Sequence, residues 1–117
     1  MSRRPSQPAD LLPGTLDMLI LKAVSLRSLH GYGVLLRINQ ISGDMLDIQQ
    51  GSLYPALYRL ETQGLINAEW GESENRRRAK FYSITAAGRK RLRDAAAGWN
   101  RFSAAIEAAL GTRPDEV

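Results

Sequence analysis

The stretch Gln49–Ile66, "QQGSLYPALYRLETQGLI", carries two sets of residues that ask for different surroundings. Leu53, Ala56, Leu57 and Leu60 are plain aliphatic. Tyr54, Pro55, Tyr58 and Arg59 are an unusual set to leave facing water. Phenolic hydroxyls and a guanidinium suit phosphate oxygens and base edges, and tyrosine rings can lie against sugars or a thymine methyl. Downstream, Arg76, Arg77, Arg78 and Lys80 form one basic run and Arg89, Lys90, Arg91 and Arg93 a second. These are eight of the sixteen basic residues, and no acid lies between Arg76 and Arg93, so the remainder of the chain is net acidic although the whole is +4. A basic patch on an acidic body is the electrostatic footprint of a polyanion partner, nucleic acid above all. The plainer reading is two solvated charge runs that aid solubility.

Catalytic chemistry is poorly served. The chain has no cysteine and one histidine, His30, which beside a Gly-Tyr-Gly turn reads as structural. No Ser–His–acid or paired-carboxylate arrangement can be assembled, and "HGYG" lacks the Lys-Ser/Thr ending of a phosphate loop. The expectation is therefore no enzyme, no cofactor and no metal. With 117 residues and 44% hydrophobic content, one core is expected, and a chain of this size buries only about 65–70% of its unfolded surface. The N-terminal arginines are not followed by an apolar run, and the apolar stretch around Leu16–Leu26 is too short to span a bilayer, which points to a soluble cytoplasmic domain.

The elements that must position these residues follow from period and punctuation. Residues 1–11 read as a loose polar arm. A helix begins at Thr15, with Asp17 in its first turn and Leu16, Leu19, Ile20, Ala23 and Val24 as a core stripe. Leu12, Met18, Leu21 and Leu26 add a second apolar side. "LHGYG" predicts a turn, and a second helix runs over 32–42 with Val34, Ile38 and Ile41 inward. The third helix starts between Ile48 and Ser52, since Pro55 fits best in a first turn, and ends at Gly64. At 100° per residue its aliphatic set falls within about 60° of Leu53, while Pro55, Tyr58 and Arg59 face outward and Tyr54 borders the two. Ile66, Ala68 and Trp70 alternate in a half-buried strand, "GESENRRR" turns, and "AKFYSIT" returns as a second strand. Thr85 caps a last helix reaching Leu110, with Gly88 and Gly98 as mild costs. Its apolar positions Leu92, Ala95, Trp99, Phe102, Ile106 and Ala109 are spaced 3, 4, 3, 4, 3, an a/d seam. The tail 111–117 is expected to fray.

Helix, helix, turn, helix, hairpin is the order of a winged helix-turn-helix, mainly α with a small β-hairpin. The domain would cover 12–84, followed by a dimerisation helix over 85–110. "HGYGVLLRI", "GSLYPALYRLETQGLI" and "ESENRRRAKFYSITAAGRKRL" resemble the PadR family of bacterial transcriptional regulators, over about Leu12–Leu110. The resemblance implies a homodimeric winged-helix repressor, often released by a ligand, acting on a palindromic operator in double-stranded DNA. It also implies that Tyr32, Ser52, Tyr54, Pro55, Tyr58 and Arg59 lie at or beside DNA, with Arg76–Arg78 and Lys80 in the wing. Glu72 and Glu74 depart from the pattern, because they flank the wing arginines and oppose its hold on phosphate. The dimer interface is expected to use Leu12, Met18, Leu21, Leu92, Trp99, Phe102 and Ile106. Trp99 packs that seam or, with its symmetry copy, frames a slot for a flat aromatic effector, as in multidrug-responsive members of the family. The alternative function is a winged helix used to dock proteins, for which the basic wing is incidental.

Overall fold

A computed structural model describes residues 14–117. The predicted arm 1–11 and Leu12 lie outside the described residues. Helix α1 (Thr15–Leu26) leads through a short strand β1 (Leu29–His30) into α2 (Gly31–Ile41), followed by α3 (Gln50–Thr62). The hairpin β2 (Ile66–Glu72) and β3 (Arg78–Ile84) then delivers the chain to α4 (Ala86–Leu110). The three strands form one antiparallel sheet in the order β1-β3-β2, with Ile66 opposite Ile84, Ala68 opposite Tyr82 and Glu72 opposite Arg78. This is a mainly helical winged-helix arrangement carrying a long C-terminal helix.

The core gathers one face from each early element: Ile20, Leu21, Ala23 and Val24 of α1, Val34, Leu35 and Ile38 of α2, and Leu53, Ala56, Leu57 and Leu60 of α3, closed by Ile66 and Tyr82. The α3 face is the one that the 3.6-residue period predicts. On α1 the buried face is rotated. Leu21 is fully enclosed in its own protomer, so the expectation that it forms a dimer contact is corrected: α1 meets α2, α3 and α4 at once, and Leu21 fills that shared interior. Ile41, expected inward, is instead exposed, with Leu35 taking the inward place.

Differences at the ends of elements have local causes. Gly14, at φ 85°, is the α1 N-cap, and Thr15 is the first helical residue. "LH" of the predicted turn pairs with β3 as β1, Leu29 opposite Tyr82 and His30 opposite Phe81. His30 also caps α2, its Nδ1 accepting from the Gly33 N–H at 3.0 Å, and its ring meets Phe81 edge-on at 5.6 Å. Helix α3 starts at Gln50, so Pro55 sits inside it, past the first turn. The missing N–H frees the carbonyl of Gly51, an exposed residue that water can serve. The tail, expected to fray, forms a 3₁₀ turn at Pro114–Glu116, where the Glu116 carboxylate accepts from the Arg113 N–H at 2.7 Å.

The junction between the wing and α4 is tightly tied. The Thr85 hydroxyl accepts from the Gly88 N–H at 3.0 Å and donates to the Gly64 carbonyl at 2.8 Å. The Thr85 N–H donates to the Leu65 carbonyl at 3.2 Å. From there α4 crosses α1 and runs on beyond the body, giving extents of 62 × 39 × 20 Å.

Candidate nucleic-acid interface

Two surfaces converge. The first is the outer face of α3, where Ser52, Tyr54, Pro55, Tyr58 and Arg59 are all exposed, Tyr58 at 72%. The second is an open groove of about 1020 Å³ between the N-terminus of α2 and the hairpin, bordered by Tyr32, Arg37, Tyr54, Arg77, Arg78 and Lys80. Tyr54 joins the two. Its ring lies so close over Gly31 that a Cβ there would stand 2.5 Å from Cε1, yet the side chain keeps 44% exposure. It packs and presents at the same time.

The cations are not equally free. Arg59 forms an ion pair with Asp17 of α1 and does not border the groove, so its outward position on the helical wheel comes with a carboxylate partner the period cannot reveal. Lys80 pairs with Glu61 of α3 at 3.2 Å. Partly exposed pairs of this kind hold by about 1 kcal/mol or less, a hold that phosphate can displace. Arg76 sits at the hairpin tip with φ 59°, a conformation that most side chains avoid. The Arg78 guanidinium stacks on Trp70, 4.6 Å from the ring centroid. Glu74 also borders the groove, so the acid flanking the arginines does share their space. Burial pushes the Tyr82 phenol up, a rise that the nearby Lys80 cation partly offsets.

Sequence reasoning missed Arg37 and Trp70. Arg37 has no basic neighbours to mark it. Trp70 does follow the predicted alternation, but it is 60% exposed because the hairpin outruns the core. Of the expected seam, Leu92 packs partly against the protomer's own core, whereas Trp99, Phe102 and Ile106 remain open. Met18 and Trp99 line a separate apolar cleft of about 480 Å³ between α1 and α4, together with Ala95, Gly98 and Phe102. Among the described residues no group of three or more His, Cys, Asp or Glu could hold a metal, and no helix is long and apolar enough to cross a membrane.

A helix with an exposed tyrosine-rich face beside a basic hairpin defines a winged-helix protein of the DNA-binding class. Residues 20–94 match the model of the transcriptional regulator PadR-like family. The fold is similar to that of a PadR family transcriptional regulator from Eggerthella lenta, 30% identical, with a TM-score of 0.72 over 86% of this chain and 85% of that one. It is also similar to a PadR-like transcriptional regulator from Bacillus cereus, 26% identical, with a TM-score of 0.75 over 90% and 100%. A 37.1 kDa transposon protein of Streptomyces fradiae is 39% identical over 102 residues, 86% of this chain and 27% of that protein. The chain belongs to the PadR-like family of transcriptional regulators, and is a regulator rather than an enzyme.

Proposed function

We propose that the protein is a homodimeric repressor that binds a palindromic operator and is released by a small aromatic effector. The observation that carries the DNA reading is the convergence of Tyr32, Tyr54, Arg77, Arg78 and Lys80 on one open groove beside the exposed face of α3. In this reading α3 enters the major groove, Ser52, Tyr58 and Arg59 meet base edges and phosphates, and the neighbouring phosphate strand lies in the groove.

Support for a dimer comes from α4. Phe102 and Ile106 are 54% and 43% exposed, and Leu110 continues their line into solvent. A protein of this size rarely leaves such a stripe uncovered, and a second copy would cover it with its own α4 and α1. Two recognition helices about 34–36 Å apart would then read two half-sites on one side of the duplex. Ile106→Asp is expected to give the monomer mass by light scattering at micromolar concentration, with an unchanged circular dichroism spectrum and much weaker operator binding. A variant that stays dimeric overturns the seam.

The α1–α4 cleft supports the effector. Its lining is mostly apolar, its size suits one or two fused rings, and Trp99 and Phe102 stand side by side on its α4 wall, their rings 6.3 Å apart and tilted at 48°, so that an indole face is available to stack. A ligand there changes the set of α4 on α1, and releases DNA only as far as its affinity differs between the two arrangements. Phenolic acids and cationic dyes should quench tryptophan fluorescence in the parent and in Trp70→Phe, but not in Trp99→Phe. Quenching that depends on Trp70 instead places the ligand at the wing and removes the cleft from the mechanism.

A further inference from the structure

Trp70 has no place in the core and none in the groove lining, yet it is the most exposed tryptophan of the chain. On the shared face of β2 and β3 it stands opposite Lys80 and diagonal to Arg78. Closer to the body the same face carries Ile66 and Tyr82 into the core; past Ala68 it emerges into solvent. There the Arg78 guanidinium lies over the indole while Arg78 itself borders the groove. Stacking on an aromatic ring restricts a guanidinium and leaves its N–H edge free to donate. The other cation on this face, Lys80, is turned towards Glu61.

This inference rests on the DNA reading above. With α3 in the major groove and a phosphate strand lying between α2 and the hairpin, whatever stands beyond that strand is over the next minor groove, because the two grooves alternate across each backbone. We propose that Trp70 is a positioning residue that aims Arg78 into this minor groove, making the protein prefer A·T-rich flanks outside the half-sites. Narrow A-tract minor grooves concentrate negative potential and attract arginine, and the minor groove distinguishes A·T from G·C and little else.

The test uses duplexes recovered by the parent protein from a randomised pool, with their flanks then rebuilt as A-tract or G·C-rich. The parent should favour A-tract flanks, and Trp70→Ala should lower that preference about two- to five-fold, the loss expected from one exposed cation–π contact. Because no charge changes, the salt dependence and the preference at the central bases should stay as in the parent. Trp70→Phe should restore most of the flank preference, and adding Trp70→Ala to Arg78→Ala should change it no further. Flank preference intact in Trp70→Ala, or a double variant worse than Arg78→Ala alone, overturns the proposal. Recovery of no duplex at all overturns the DNA reading itself.

Discussion

Gly88→Ala is expected to lower the melting temperature by about 8 °C, whereas Gly98→Ala, ten residues along the same helix, should raise it by a few degrees. A methyl on Gly88 would stand 2.1 Å from the Leu65 carbonyl oxygen and 2.8 Å from Ile84 Cγ1. The carbonyl is backbone, already accepting from the Thr85 N–H, so it has little room to give. Overpacking of this kind costs about 1–3 kcal/mol and at times more, against about 1 kcal/mol recovered from helix propensity. At Gly98 the nearest neighbour of an added methyl is an Arg101 nitrogen at 3.9 Å, so only the propensity gain remains. Calorimetry at matched protein concentration separates the two, since the stability of the proposed dimer would depend on concentration. A Gly88→Ala protein as stable as its parent means that the wing and α4 are not packed as described.

Replacing Arg76, Arg77 and Arg78 together with glutamine should flatten the slope of log K against log salt by up to about 2.7, three contacts at about 0.9 each. The preferred sequence at the half-site centres should be nearly unchanged, because Arg76 and Arg77 would hold phosphate without reading and Arg78 is aimed outside the half-sites. Tyr58→Ala should do the opposite: a similar salt slope but relaxed base preference, by about 1–3 kcal/mol for a lost contact. Lys80→Gln should flatten the slope by less than one contact, since part of its charge is already spent on Glu61. Fluorescence anisotropy of a labelled duplex across a salt series gives both quantities. If the triple variant keeps the parent slope, the wing is not on DNA; binding without any salt dependence in the parent would favour a protein-docking module instead.

Much of this architecture is legible locally. The two faces of α3 follow from a 3.6-residue period: its aliphatic positions are buried and its Tyr–Pro–Tyr–Arg positions exposed, as their spacing requires. Thr85 as a cap and Leu110 as the end of α4 follow from side-chain chemistry one turn away. The basic runs announce a polyanion partner by charge alone. What escapes local reading depends on neighbours far along the chain. Arg59 meets Asp17 across 42 residues, and Lys80 meets Glu61 across 19, so which cations stay free is set by how α1, α3 and the hairpin pack. Leu21 looks like a second apolar side until three helices enclose it. Gly88 looks like a helix defect until the Leu65 carbonyl is placed against it, and Trp70 looks half-buried until the hairpin outruns the core. Period and caps are properties of adjacent residues, whereas contact and exposure are properties of surfaces that meet only once the chain has folded.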